Sequence, residues 1–247
     1  MLRTERIAIL LSYLEKHNTA TVKQIAKDTY MSETTVRRDL KYLDELHVVK
    51  RSYGCAMLIR NLNKTIPFDF RRNEFRQEKN KIAFLATEQI KSGETIFLDE
   101  SSTSCSMVQY LKPELDVTIV TNSLILTSLL YEKNIKCYCT GGLLYRTTFS
   151  FLGKFSEHLI GSMFADKFFF STAGLSLDGV ISDKMEETVS INKLMIERSQ
   201  KKVFLCDHSK FNKRYAFELT SLADTDLVIT DKKPPEELLG INSSFIY

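Results

Sequence analysis

Apolar residues recur along this chain in two different rhythms. In the first sixty positions the spacing is helical. Ile7, Leu10, Leu11 and Leu14 follow the i, i+3, i+4, i+7 pattern of a buried stripe, which predicts a helix after Thr4. A second helix is predicted from Thr21. There Gln24, three residues on, completes a capping box, and Val22, Ile25 and Ala26 form the apolar face. A third starts at Ser32, a good N-cap, with Glu33 beside the positive end of the helix dipole. "HVVKRSYGCAML" then reads as strand, turn, strand, with Val48 and Val49, a turn at Ser52–Gly54, and Ala56–Leu58. From Lys79 onward the rhythm changes. Short apolar runs ("TIFLD", "VTIVT", "IKCYCT", "DKFFFSTA", "KVFLCD", "LVIT") alternate with amphipathic stretches such as Ser123 to about Lys133 and "ETVSINKLMIERSQ". Fully apolar strands alternating with helices predict a mostly parallel sheet covered on both faces.

On the third predicted helix, a turn of 100° per residue gathers Val36, Leu40 and Leu43 in one sector. Thr34, Arg37, Arg38 and Lys41 fall on the other side, with Asp39 towards the flank. Thr is a poor helix former because its branched Cβ loses rotamer freedom against the preceding turn, so its use here calls for a reason. An exposed face with Arg and Thr near its N-terminal end is suited to base edges in a major groove. Only "TYM" separates this helix from the second, a turn tight enough for a helix-turn-helix, and the hairpin behind it makes the module winged. Lys50 and Arg51 on that hairpin are placed for phosphate or an adjacent minor groove. A merely solvated basic face is the plain alternative; the capped helices, tight turn and basic hairpin together outweigh it.

Charge supports the same division. Residues 1–64 hold twelve Lys or Arg against seven Asp or Glu, whereas the remainder carries two more acidic than basic residues. A polyanionic partner for the first quarter is therefore expected. No apolar run approaches the ~20 residues of a membrane span. No signal-peptide cleavage site follows the short apolar opening, so a cytoplasmic protein is expected. The five cysteines, Cys55, Cys105, Cys137, Cys139 and Cys206, are scattered and odd in number, which argues for core thiols rather than disulfides or zinc. Cys137 and Cys139 alternate along one strand and so face one side. No HxxH or paired-carboxylate spacing suggests a metal, and no cofactor is expected. His158 reads as a surface or packing residue, while His208 suits a ligand contact and a structural hydrogen bond equally.

Residues 59–78, "IRNLNKTIPFDFRRNEFRQE", are polar with little periodicity and read as a linker, Phe68 and Phe70 pinning it to the second domain. The domains are thus 1–58, a linker at 59–78, and 79–247. In parallel sheets ligands bind outside the carboxyl ends of the strands. Here those ends are polar: Asp99, Thr121–Asn122, Thr140–Gly141–Gly142, Asp207 and Thr230–Asp231. The Ser/Thr-rich segments at 101–104 and Ser123 lead into helices, offering hydroxyls and free backbone N–H groups to an anion.

Ser32 to Leu40 resembles the "S-x-x-T-[IV]-R-R-D-L" helix of the DeoR family of bacterial transcriptional repressors, and "RSYGCA" its "R-x-H-G-G-A" wing. The resemblance implies DNA contacts from Ser32, Thr34, Thr35, Arg37, Arg38, Lys41, Lys50, Arg51 and Tyr53. Cys55 stands where the wing pattern has its second Gly, which implies a turn of different shape. The larger domain resembles the family's effector-sensing domain, Rossmann-like and related in fold to ribose-5-phosphate isomerase. "DESST" corresponds to the family's "D-x-G-[ST]-T", giving Asp99, Ser101, Ser102 and Thr103. Thr121, Asn122 and Ser123, then Gly141 and Gly142, Glu187, and Asp207 with Lys210 match its further motifs. The implied fold class is α/β, a winged helix-turn-helix joined to that domain. The implied partners are double-stranded operator DNA, a phosphorylated sugar and further copies of the chain, as dimer or tetramer. Ser101 replaces the family's phosphate-loop Gly, which implies a narrowed, re-tuned or lost pocket. Two readings stand beside the non-enzymatic repressor. One is a sugar-phosphate isomerase or deaminase tethered to DNA, using Asp99, Glu187 or Asp207 as base. The other is a repressor with a ligandless sensor domain.

Overall fold

The structure, a computed structural model, describes residues 3–45, 48–52, 54–58, 68–242 and 244–247. Among these the chain forms two compact units, the first reaching Glu74 and the second running from Phe75.

The first unit contains α1 (Arg3–His17), β1 (Thr19–Thr21), α2 (Val22–Asp28), α3 (Glu33–Glu45), β2 (Val49–Ser52), β3 (Cys55–Leu58) and α4 (Phe68–Asn73). The predicted capping box forms. The Gln24 N–H donates to Thr21 Oγ1 at 3.2 Å, and the Thr21 N–H donates to Gln24 Oε1 at 3.0 Å. Ile7, Leu10 and Leu14 of α1 pack with Ile25 of α2, Val36, Leu40 and Leu43 of α3, and Val49 and Ala56 of the hairpin in one core. The hairpin has a third strand. β1 pairs antiparallel with β3, setting Ala20 opposite Ala56. Three residues are too few to reveal a period of two.

Two expectations need correcting here. Cys55 does not occupy the left-handed position. Gly54 takes the left-handed position, at φ 82°, and Cys55 already lies in β3 opposite Ser52 and Thr21. The stretch from 68 to 78, read as part of the linker, holds α4 and the start of the next helix. Phe68 is buried and α4 packs on α1 within the first unit, so Phe68 does not pin a linker to the second. Six residues show too little of a helical repeat to be recognised. Residues 59–67 of the expected linker, and the side chain of Phe70, lie outside the described part of the structure.

The second unit begins with α5 (Arg76–Thr87), β4 (Thr95–Leu98), α6 (Ser102–Met107), β5 (Thr118–Thr121), α7 (Leu124–Glu132) and β6 (Cys137–Cys139). There follow β7 (Leu143–Tyr145), β8 (Ser150–Leu152), α8 (Lys154–Gly161), β9 (Ala165–Phe170), β10 (Gly174–Leu175), β11 (Val180–Asp183), α9 (Glu186–Glu197) and β12 (Ser199–Cys206). Last come β13 (Phe217–Ser221), β14 (Leu227–Thr230), α10 (Glu236–Leu239) and β15 (Phe245–Ile246). The strands expected from the apolar runs form one sheet in the order β15-β14-β12-β9-β4-β5-β6, each neighbouring pair parallel. The chain therefore builds outward from β4 through β5 to β6, then returns to β4's other side to lay down β9, β12, β14 and β15. Two smaller sheets, the β7–β8 hairpin and antiparallel β10-β11-β13, flank it.

Parallel strands covered on both faces need apolar side chains at successive positions. Phe168, Phe169 and Phe170 meet that need on β9, all fully buried. Phe168 stacks on Phe170 with centroids 5.0 Å apart, Phe170 lies 5.2 Å from Phe204 of β12, and Phe97 of β4 meets Phe168 edge-on at 6.5 Å. Phe204→Ala should cost the second unit about 3–5 kcal/mol, read from its denaturant midpoint, whereas Tyr131→Ala should stay within about 0.5 kcal/mol. Tyr131 is 84% exposed.

Candidate functional site

The sequence-predicted contact residues of the first unit gather on one face. Val36, Leu40 and Leu43 turn inward, while Thr34, Arg37, Arg38 and Lys41 are exposed. Ser32 caps α3, its Oγ accepting the Thr35 N–H at 3.2 Å. Thr35 is half-buried, its hydroxyl taken by Ser32 at 2.9 Å. Arg37 pairs with Glu33 at 3.2 Å and Lys41 lies 3.9 Å from Glu45, both exposed i,i+4 pairs. Such pairs are weak, so both cations are readily redirected to a polyanion. Lys50 and Arg51 are exposed on β2, and the Arg51 N–H donates to Asp44 of α3 at 3.3 Å, fixing the wing against the helix. Tyr53 lies outside the described residues.

Asp39 corrects the flank assignment. It is fully buried, and Arg6 of α1 clasps it, Nε to Oδ2 at 2.6 Å and Nη2 to Oδ1 at 3.1 Å. That two-point grip sets the orientation of α3 on the unit.

In the second unit the polar strand ends converge where the sheet's order reverses, between β4 and β9. Asp99, just beyond β4, is buried and bridges the two. Its Oδ2 accepts the Ser171 N–H beyond β9 at 2.8 Å, while Oδ1 accepts the Ser101 N–H at 3.2 Å and the Ser104 hydroxyl at 2.5 Å. Burial pushes the Asp99 carboxyl up, and the donors from Ser104, Ser171 and Ser101 oppose that rise. Ser101 has ordinary extended geometry (φ −68°, ψ 151°) and caps α6 through its Oγ, which accepts the Ser104 N–H at 3.0 Å. Its Cβ thus replaces a Gly without backbone strain.

A second buried carboxylate, Glu100, ties three loops together. Thr188 of α9 donates to its Oε1 at 3.0 Å and Asn122 to its Oε2 at 3.3 Å. Asn122 also donates to the Phe151 carbonyl of β8 at 3.3 Å, and Ser123 caps α7. Thr121 Oγ1 accepts the Ser123 N–H at 3.1 Å. Gly141 and Gly142 follow β6 with positive φ, and a Cβ on Gly142 would meet Ser156 Oγ at 3.0 Å. Lys210 donates to Ser171 Oγ and lies 3.5 Å from Asp207 Oδ2. Burial pushes the Asp207 carboxyl up, but Lys210, Ser209 and Lys79 outweigh it and leave the group below the usual carboxylate range. Thr103 Oγ1 and Asn122 Oδ1, both buried, have no hydrogen-bond partner among the described residues.

Asp99, Ser101, Ser102, Thr103, Thr121, Asn122, Ser123 and Asp207 are all buried at this edge, with Lys210 half-buried. Glu187 differs. It is exposed in the first turn of α9, and its neighbour Thr188 makes the inward contact. Sequence reasoning missed Glu100, Ser171 and Thr188, and took in Ser104 only as part of the segment 101–104. A signal existed for Glu100 and Ser171, since each is a polar residue directly after an apolar strand. Thr188 carried none. His158 is exposed on α8, and burial together with Cys139 pushes the Cys137 thiol up to about 11.

Family models for a DeoR-like helix-turn-helix domain match residues 6–61, and for a DeoR C terminal sensor domain residues 74–232. The chain is 32% identical to the HTH-type transcriptional regulator YulB of Bacillus subtilis, over 94% of this chain and 90% of that protein. It is equally 32% identical to the HTH-type transcriptional repressor GlcR of the same organism, over 95% and 90%. To the L-fucose operon activator of Haemophilus influenzae it is 29% identical, over 94% of each. A ribose 5-phosphate isomerase from Methanocaldococcus jannaschii overlaps 55% of this chain and 54% of its own, with TM-score 0.42 and 18% identity. No described helix is long and apolar enough to cross a membrane.

Asp99→Asn turns one of three satisfied acceptor positions into a donor facing a donor. It should destabilise the second unit by about 1–3 kcal/mol in urea unfolding. Glu187→Gln, at an exposed position, should change stability by less than about 0.5 kcal/mol in the same assay.

Proposed function

Because the chain belongs to the DeoR family of helix-turn-helix transcriptional regulators, we propose that it represses a carbohydrate-metabolism operon and that a phosphorylated sugar governs its hold on the operator. The observation that carries the DNA half of this reading is the division of α3 into an apolar inner face and an outer face of Thr34, Arg37, Arg38 and Lys41. In the major groove, Arg37 and Arg38 pair with guanine O6 and N7 or grip phosphate, and the Thr34 methyl packs on a thymine methyl. Lys50 and Arg51 of the wing neutralise phosphates beside it. Two copies related by a twofold axis present two such helices to two half-sites.

For the effector, support comes from the polar edge at the sheet's switch point, the usual place for ligands in open parallel sheets. Thr103 Oγ1 and Asn122 Oδ1 are buried atoms lacking partners among the described residues, and a bound phosphate and sugar hydroxyl complete their hydrogen bonds. Lys210 supplies positive charge. The carboxylates nearest the switch point are already engaged, Asp99 by three donors and Glu100 by Thr188 and Asn122, while Asp207 is ion-paired with Lys210 at 3.5 Å. That favours binding over proton abstraction, which needs a free base.

Arg37→Ala should weaken operator binding by about 1–3 kcal/mol and relax preference at one base pair, while Lys50→Ala should lower the salt slope by about 1. Unchanged operator affinity in both would remove α3 and the wing from the interface. In thermal-shift screening of aldose and ketose phosphates, a true effector at 100 times its Kd should stabilise the protein by about 2.7 kcal/mol. Asn122→Ala should abolish that response. No shift from any sugar phosphate would leave the second unit as a ligandless assembly domain.

A further inference from the structure

Three metal-ligating side chains meet outside the cluster around Asp99 and Glu100. Glu78 comes from the first turn of α5, His208 from the turn after β12, and Asp231 from the end of β14. One donor atom of each lies within 4.8 Å of the other two. We propose that Glu78, His208 and Asp231 form a binding site for a divalent transition-metal cation of the Zn2+ type.

The trio is organised before any ion arrives. Asp231 holds His208 at two points, Oδ1 accepting the backbone N–H at 2.7 Å and Oδ2 sitting 2.7 Å from imidazole Nδ1. The ring of Phe75 meets the imidazole edge-on, 5.4 Å between centroids, and limits its rotation. Two ligands bound at ~2.0–2.1 Å to one ion stand roughly 3 Å apart, so Nδ1 and Oδ2 are already near the required spacing. The cation replaces the proton between them. Nδ1 and Oδ2 each bond to the metal, and the neutral imidazole keeps its one proton on Nε2. Glu78 completes the set. Its half-buried carboxylate has no hydrogen bond or ion pair of its own among the described residues.

The donor set selects the ion. One imidazole nitrogen with two carboxylate oxygens suits Zn2+ or its neighbours Co2+ and Mn2+, whereas Mg2+ and Ca2+ prefer oxygen alone. The nearby Lys81 ammonium is tethered to the Asp231 main-chain carbonyl at 2.9 Å, and the two carboxylates offset its charge. A bound ion would clip the first turn of α5 to two strand ends. No spacing along the chain announces the site, because its members are brought together only by the sheet.

The test is calorimetric titration of Zn2+ into the chelator-treated full chain. The expected result is one ion per chain. Co2+ should give d–d bands without a thiolate charge-transfer band, which separates this site from the cysteines. Glu78→Gln and His208→Gln should each weaken binding roughly 10-fold or more, since even outer partners of metal ligands cost 10–100-fold. Circular dichroism of the metal-free variants should match the parent. If His208→Gln fails to fold, Glu78→Gln carries the test, because that carboxylate makes no hydrogen bond or ion pair among the described residues. Absence of saturable Zn2+ binding, a thiolate band, or parental affinity in Glu78→Gln overturns the proposal.

Discussion

The carboxylate of Asp99 spans the one place in the larger sheet where the chain changes direction of growth. Strands β4 and β9 are neighbours in space but far apart in sequence. Everything laid down after β9 depends on that pairing being in register. The ladder Ile96–Lys167, Phe97–Phe168 and Leu98–Phe169 sets the register, and Asp99 continues it by accepting the Ser171 N–H and the donors of the loop into α6. A buried carboxylate is tolerated there because three donors replace the water it has lost. The same bonds shape the buried loop at the strand ends, so the stability of the sheet and the form of the site have one origin.

The first unit uses the same device at smaller scale. Arg6 of α1 reaches the buried Asp39 of α3 with two bonds, and Asp44 of α3 takes the Arg51 N–H of the wing. Helix and wing are therefore positioned by polar contacts, while Leu40, Leu43 and Val49 supply the burial. Asp39 and Arg38 are adjacent in sequence yet do opposite things. One faces inward and orients the helix, and the other faces outward.

Local features were readable in advance and long-range ones were not. The capping box at Thr21 and Gln24, the apolar face of α3 and the strands around Phe97, Phe169 and Phe204 all follow from spacings of a few residues. The polar strand ends were readable too, because a hydroxyl or carboxylate after an apolar run marks where a strand leaves the core. Strand order was beyond reach, and with it the adjacency of Asp99 and Ser171. Asp39 was placed on the flank because its partner, Arg6, belongs to another helix. The short strands β1 and β10 hold too few residues for alternation to register. The helix starting at Phe68 was hidden among charged residues whose apolar members are too few to reveal a turn.

The sheet closes at one side with β6, three residues long, and at the other with β15, only two. Few unpaired backbone groups are therefore left along either margin for a stray strand to copy. Short outermost strands leave a β-rich core little template on which another chain could pair.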